Sequence, residues 1–141
     1  MKFDIPSDKT EVFVCDIPIR WGDMDALGHV NNTVYFRYLE SARIEWLQAV
    51  GPDVYNDTTG PVVVNAFCNF YKQLTYPGTV RCTLYVSNAG RSSFDTWCLL
   101  HLSDDPDTVY AAGGATVVWV DFAQQKSTAL PEWVKTLLPE S

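Results

Sequence analysis

The order of segments constrains this fold most, because a single helical pattern is followed by a run of strand-like segments joined by short turns. Apolar side chains recur at the spacing of one helix face, at Tyr35, Tyr38, Leu39, Ala42, Trp46 and Ala49. This spacing predicts a helix over residues 33–50. Asn31 or Asn32 can cap its N-terminus, and Gly51-Pro52 can end it.

Alternating apolar and polar residues predict strands on both sides of this helix. The segments are residues 11–21 before it and residues 62–74, 79–87, 94–102 and 108–122 after it. Short turns between consecutive strands require antiparallel neighbours, and the apolar face of the sheet needs a cover. We therefore expect one α+β domain over residues 1–141, in which a long antiparallel five-stranded sheet wraps around a single central helix. Pro131 can open a short C-terminal helix.

Charge and composition exclude several classes of protein. Seventeen acidic residues against ten basic ones give a net charge of -7, which argues against a nucleic-acid partner. No apolar run reaches the ~18 residues of a membrane span, and no secretory signal pattern is present. The four cysteines stand singly, without the spacing of metal ligands or of a disulfide framework. We expect a reduced, cytoplasmic protein without a metal.

The loop before the predicted helix contains most of the chemically active side chains. It brings two carboxylates (Asp23 and Asp25), an imidazole (His29) and two carboxamides (Asn31 and Asn32) to the helix N-terminus. The first helical N–H groups lack partners and favour negative charge, so they can stabilise an oxyanion. A nearby carboxylate can attack an acyl carbon or activate water. The loop is a plausible acyl-transfer site.

A longer motif across this loop and the helix resembles a known family. The run is Asp25-x-x-Gly28-His29-Val30-Asn31-Asn32-x-x-Tyr35-x-x-Tyr38-x-Glu40-x-Ala42-Arg43. It resembles hot-dog thioesterases of the 4-hydroxybenzoyl-CoA thioesterase class, and in particular the acyl-CoA thioesterases with a His-Val-Asn-Asn signature. The resemblance implies a hot-dog fold and hydrolysis of an acyl-CoA or similar thioester. It implies no cofactor, since coenzyme A is part of the substrate.

The resemblance also implies roles for individual residues. Asp25 takes the place of the catalytic carboxylate, as nucleophile or general base, and the backbone N–H of Asn32 takes that of the carbonyl-polarising donor. His29 and Asn31 match positions that can orient water or substrate. The hydroxybenzoyl-CoA enzymes carry an aromatic pair and a proline where this chain has Asn31, Asn32 and Thr33, which speaks against a hydroxybenzoyl substrate.

A second match concerns the coenzyme A nucleotide. The run Gly90-Arg91-Ser92-Ser93-Phe94 resembles the family's turn into its fourth strand. Arg91 can contact a phosphate there, with Ser92 and Ser93 as hydrogen-bond donors. The family further implies a homodimer whose sheets join edge to edge, with active sites between subunits, and often a homotetramer of such dimers.

Plainer interpretations stand beside these. Asp25 can serve only loop N–H groups, His29 can be a hydrogen-bonded structural residue, and the asparagines can be helix caps. Arg91 can be a solvated turn residue. Two rival functions remain open: a hot-dog hydratase or dehydratase, and a non-catalytic acyl-CoA-binding module.

Overall fold

The computed structural model describes residues 3–51 and 58–138, and in them one antiparallel sheet surrounds one long helix. In chain order the elements are β1 (Thr10–Pro18), a 3-10 turn (Trp21–Asp23), α1 (Asn32–Val50), β2 (Thr59–Phe70), β3 (Thr79–Ser87), β4 (Ser93–Leu102), β5 (Ala111–Asp121), β6 (Lys126–Ser127) and α2 (Glu132–Lys135). The strands are ordered β1-β3-β4-β5-β2, and β6 pairs with β5. The predicted α+β hot-dog arrangement is confirmed, with a two-residue sixth strand that was not predicted.

Helix α1 starts one residue before its predicted start. The side chain of Asn31 caps it, and the N–H of Gly51 donates to the carbonyl of Leu47 at its end. Pro52, the other predicted stop signal, lies outside the described residues. The predicted apolar face is buried except for Ala49, which is exposed. No helix among the described residues is long and apolar enough to cross a membrane.

Two glycines of β5 define the two faces of the sheet. A Cβ atom on Gly113 would lie 2.6 Å from Leu39 Cδ1 on α1, whereas one on Gly114 would lie 2.7 Å from the ring of Trp97. Successive residues of a strand point to opposite faces, so Trp97 lies on the outer face, away from α1. Gly113 allows α1 to approach the sheet closely, and this contact positions the helix.

Strand β2 forms one edge of the sheet although it directly follows the helix in the chain. It pairs only with β5 among the described strands, from Thr59 opposite Asp121 to Phe70 opposite Ala111. Three successive valines near its start, Val62, Val63 and Val64, are 37%, 43% and 57% exposed. Within residues 3–51 and 58–138, no strand pairs with the outer side of β2, so this edge is an exposed apolar strand.

The C-terminal segment packs against the far end of α1. Pro131 is the N-cap of α2 and not its first helical residue, so the predicted helix is confirmed one position later. The ring of Trp133 lies against Trp119 with centroids 5.8 Å apart. It also covers Gly51, where a Cβ atom would meet the Trp133 ring.

Candidate active site

The loop before α1 folds into a short hairpin that carries Asp25. The N–H of Asp25 donates to the carbonyl of His29 at 2.8 Å, and Met24 and Val30 form an isolated antiparallel bridge. The N–H of Gly28 donates back to the carbonyl of Asp25 at 3.1 Å. Gly28 has φ of 81°, a conformation that glycine adopts without strain. The sequence Asp-Ala-Leu-Gly therefore makes a tight turn between two functional side chains.

Three further hydrogen bonds attach this hairpin to the rest of the domain. The N–H of Val30 donates to the carbonyl of Leu74 at 2.8 Å, and the N–H of Leu74 donates to the hydroxyl oxygen of Tyr35 at 3.1 Å. The N–H of Asn31 donates to the carbonyl of Asp23 at 2.9 Å. The hairpin, the start of α1 and the segment after β2 consequently form one connected unit.

Asp23 holds this unit together and does not border the cleft described below. One of its oxygens, Oδ2, accepts from the N–H of Arg20 at 3.0 Å and from the hydroxyl of Tyr38 at 2.8 Å. Burial, reinforced by the hydrogen bond to Asp23, raises the pKa of Tyr38 well above its usual value. The phenol therefore keeps its proton and remains a donor. Asp23 is a structural residue of the loop.

Asp25 has a different environment. Its side chain is half-buried, and its Oδ1 accepts from the N–H of Leu27 at 2.9 Å in an Asx turn. No donor among the described residues reaches its Oδ2. One carboxylate oxygen is thus fixed by the loop, and the other is available to water or substrate.

Two asparagines have different roles at the N-terminus of α1. Asn31 Oδ1 accepts from the N–H of Thr33 at 2.9 Å and from its hydroxyl at 2.8 Å, so Asn31 is the cap. Asn32 is the first helical residue, and its N–H meets no acceptor within residues 3–51 and 58–138. Such an N–H carries the positive end of the helix dipole.

These residues border one open cleft of about 830 Å³. On the hairpin side it is lined by Asp25, His29, Asn31 and Asn32, so the structure brings together all four predicted catalytic residues. The opposite wall is formed by residues 70–73, which are the last residue of β2 and the three residues after it. The local sequence pattern does not mark Phe70, Tyr71 or Gln73 as site residues. The placement of this wall depends on strand pairing between distant parts of the chain.

Aromatic side chains hold this wall in place. The ring of Phe70 meets the ring of Tyr35 edge-on, with centroids 4.9 Å apart. The N–H groups of Tyr71 and Lys72 both donate to the carbonyl of Tyr110, at 2.9 and 3.0 Å. The ammonium of Lys72 lies 5.5 Å from the centroid of the Tyr110 ring. The cleft therefore joins one carboxylate, one ammonium and several aromatic surfaces.

Arg91, Ser92 and Ser93 lie at the other end of the sheet. Ser93 pairs with Val118, which pairs with Val62, eight residues before Phe70 on β2. At ~3.3 Å per residue, this places the turn roughly 26 Å from the cleft within one chain. The carbonyls of Arg91 and Ser92 accept from Leu130 and Trp119 at 2.8 and 2.7 Å. The structure does not bring this turn together with Asp25.

Among the described residues, no group of three or more His, Cys, Asp or Glu side chains is arranged to hold a metal ion.

Comparisons with known proteins agree with this architecture. Residues 19–138 match the family model described as the Thioesterase-like superfamily. The PA2801 protein of Pseudomonas aeruginosa, named as a candidate thioesterase, is 39% identical, with a TM-score of 0.86 over 90% of this chain and 98% of that chain. A protein of Xanthomonas campestris named as a candidate acyl-CoA thioesterase is 32% identical, with a TM-score of 0.77 over 85% of this chain and 100% of that chain. YsmA of Bacillus subtilis, whose activity its name leaves open, is 27% identical over 127 residues, covering 84% of this chain and 85% of its own.

Proposed function

The chain belongs to the Thioesterase-like superfamily, and on that premise we propose that it hydrolyses acyl-coenzyme A thioesters, with Asp25 as the catalytic carboxylate. One observation carries the proposal: the N–H of Asn32 and the Oδ2 of Asp25, which find no partner in the described part of the chain, border the same cleft. A thioester needs a donor for its carbonyl oxygen and a base or nucleophile for its carbonyl carbon. The names of the Pseudomonas aeruginosa and Xanthomonas campestris proteins, a candidate thioesterase and a candidate acyl-CoA thioesterase, support thioester hydrolysis.

The N–H of Asn32 is proposed to polarise the thioester carbonyl. As attack proceeds, negative charge develops on the carbonyl oxygen, and a donor at a helix N-terminus stabilises that charge more than it stabilises the ground state. The side chain of Asn31 is compatible with this role, because its Oδ1 accepts from the N–H of Thr33 and leaves the N–H of Asn32 to the substrate. The donor is a backbone group, so substitution of the Asn32 side chain alone leaves it in place.

Asp25 is proposed to act by one of two routes. As a general base it takes a proton from water, the resulting hydroxide attacks the acyl carbon, and the thiolate of coenzyme A leaves and is protonated. As a nucleophile it attacks the acyl carbon itself and expels the thiolate, and water then cleaves the mixed anhydride. Both routes yield a free acid and free coenzyme A and restore the carboxylate.

His29 and Asn31 are proposed to position the water or the acyl group. Both line the cleft beside Asp25. The cap occupies Asn31 Oδ1, so its contribution would come from the side-chain NH₂ group. The backbone carbonyl of His29 already accepts from the N–H of Asp25, so the contribution of His29 would come from hydrogen bonds of its imidazole nitrogens.

A homodimer explains how the distant Arg91 turn can serve the same site. Pairing of two exposed β2 edges around a two-fold axis runs the strands antiparallel, so the Val62 end of one copy meets the Phe70 end of the other. The turn carrying Arg91, Ser92 and Ser93 in the second copy then approaches the cleft of the first. The exposed valines of β2 support this interface, and a tetramer of such dimers is compatible with it.

This subsite has its own test. Replacement of Arg91 by alanine is expected to raise KM for acyl-CoA several-fold, because a phosphate contact is lost. KM for the same acyl group on N-acetylcysteamine, which lacks the nucleotide, should not change. An equal effect on both substrates would contradict the assignment.

The function is tested by thiol release across a panel of acyl-CoAs from acetyl to palmitoyl together with benzoyl-CoA. Turnover on part of the panel supports the proposal and identifies the acyl group. Heat of binding without thiol release would instead indicate the acyl-CoA-binding module. Loss of enoyl-CoA absorbance without thiol release would indicate the hydratase.

A further inference from the structure

The segment before β1 lies across the outer face of the sheet. The ring of Phe3 lies 4.9 Å from that of Phe67 on β2, and Phe67 lies 6.0 Å from Trp97 on β4. Farther along, the ammonium of Lys9 lies 4.8 Å from the ring centroid of Tyr85 on β3. Residues 3–9 therefore form a strap, the N-terminal strap, that crosses the sheet on the side opposite α1.

The first residue of the N-terminal strap, Phe3, is bound by the buried side chain of Asn69. Asn69 is only 9% exposed, and its Nδ2 donates to the carbonyl of Phe3 at 2.7 Å while its Oδ1 accepts from the N–H of Phe3 at 3.4 Å. The carboxamide thus binds both backbone groups of one residue, as a neighbouring strand would. A buried carboxamide needs such partners, and the strap supplies them.

Asn69 also contacts the wall of the cleft. It directly precedes residues 70–73, and its Nδ2 lies 3.4 Å from the hydroxyl oxygen of Tyr71. The backbone of the same wall is held from the other side by the carbonyl of Tyr110, which accepts from Tyr71 and Lys72. A continuous series of contacts therefore runs from Phe3 through Asn69 to Tyr71.

We propose that Asn69 is a positioning residue for the cleft and that Phe3 of the N-terminal strap is its anchor. When the strap is docked, Asn69 keeps the end of β2 in place, and residues 70–73 present a fixed wall to the acyl thioester. When the strap is absent, Asn69 loses both of its bonds to the backbone of Phe3, and the wall samples more open positions although its contacts with Tyr35 and Tyr110 remain. The effect of Asn69 on catalysis rests on the proposed function, whereas its effect on the order of residues 70–73 does not.

Hydrogen exchange measures the order of the wall independently of any activity. Two variants remove the contact between Phe3 and Asn69. Deletion of residues 2–5 removes Phe3, and Asn69→Ala removes the carboxamide. The deletion removes both hydrogen bonds between Phe3 and Asn69, and Asn69→Ala also removes the contact with Tyr71. Exchange of the Tyr71 and Lys72 amides is therefore expected to accelerate about fivefold or more in both variants, with α1 unchanged. Asp8→Asn, an exposed change in the same strap, and Phe3→Leu, which keeps the bound backbone groups, should stay within about twofold of wild type.

Activity then tests the consequence for the substrate. Both variants are expected to raise KM several-fold while kcat changes less than about twofold, because Asn69 touches no reacting atom. A synthetic peptide of residues 1–9 added to the deletion variant should restore slow exchange and the original KM. If the wild type hydrolyses nothing on the panel, the exchange data still decide this inference.

Unchanged exchange of the Tyr71 and Lys72 amides in the deletion variant would overturn the inference and leave the thioesterase assignment untouched. In that case the N-terminal strap would only cover the apolar outer face of the sheet. If Asn69→Ala fails to fold, the deletion variant, which removes no residue of the sheet, gives the answer alone.

Discussion

The hydroxyl group of Tyr38 donates a hydrogen bond of 2.8 Å to Asp23, and this contact separates the roles of the two carboxylates in the loop before α1. Asp23 ties the loop to the helix. Asp25, two residues later, borders the cleft and keeps one oxygen without a donor among the described residues. Two chemically identical side chains therefore differ in their contacts, because Asp23 accepts from a helical phenol and Asp25 borders the cleft.

Replacement of Tyr38 by phenylalanine tests the structural role of this pair. The hydroxyl is buried and donates to a charged group, so its loss is expected to lower the free energy of unfolding by about 1.5–3 kcal/mol. Urea unfolding measures the change. Tyr76→Phe is the matched control, because Tyr76 is 46% exposed, and it should alter stability by less than about 0.5 kcal/mol. Equal small effects from both variants would show that the contact does not hold the loop.

Two substitutions of Asn31 distinguish its effect on stability from its effect on activity. Asn31→Ala removes the cap and is expected to cost about 1 kcal/mol, whereas Asn31→Asp keeps a capping oxygen and should retain stability. The new carboxylate lies beside the proposed oxyanion donor, where negative charge opposes the developing oxyanion. Asn31→Asp should therefore be stable and yet at least about tenfold slower in kcat/KM. A stable and fully active Asn31→Asp would argue against an oxyanion at this helix end.

Gly113 is predicted to be intolerant of any side chain. A Cβ atom there would lie 2.6 Å from both Leu39 Cδ1 and the carbonyl oxygen of Phe67, and the carbonyl belongs to a paired strand that cannot easily move. Gly113→Ala is expected to destabilise the protein by about 2 kcal/mol or more. Gly22→Ala, with no atom within 4 Å, is the control and should have little effect. Thermal unfolding of the two variants distinguishes close packing from a general cost of replacing glycine.

The cysteines are expected to react slowly in the folded protein. Burial raises the pKa of the Cys68 thiol to about 12 from an ordinary value of 9.0. A raised thiol pKa favours the neutral form, so at pH 8 the thiolate fraction falls roughly a thousandfold, and alkylation should slow accordingly. Mass spectrometry after iodoacetamide treatment at pH 8 should find Cys68 unmodified in native protein and modified in urea. Rapid native labelling would show that the strand opens readily.

Local features of the sequence predicted much of the fold and part of the site. Alternation located the five long strands, and helical spacing with a capping residue located α1 to within one residue of its start. The same local pattern offered Asn31 or Asn32 as the cap, and the structure assigns the cap to Asn31, which makes Asn32 the first helical residue. Such features depend on a few neighbouring residues, so they can be inferred without the tertiary structure.

Other features depend on contacts between distant residues. The pairing of β2 with β5 brings residues 70–73 beside the hairpin, and Val30 binds Leu74 across 44 positions of the chain. The structural role of Asp23 becomes visible only when α1 places Tyr38 opposite it. Strand β6 has two residues and is too short to show alternation. None of these relationships leaves a periodic signal in the chain.

The most direct test of the central claim compares thiol release by the wild type and by Asp25→Asn, with Asp8→Asn as an exposed control. The asparagine keeps an oxygen that can accept from the N–H of Leu27, so the loop should retain its shape, and the binding of free coenzyme A measured by calorimetry should not change. The account predicts that kcat/KM falls at least ~100-fold in Asp25→Asn, equivalent to about 2.7 kcal/mol of transition-state stabilisation, and stays at the wild-type level in the control. Equal activity of Asp25→Asn and wild type would contradict the account by removing Asp25 as the catalyst.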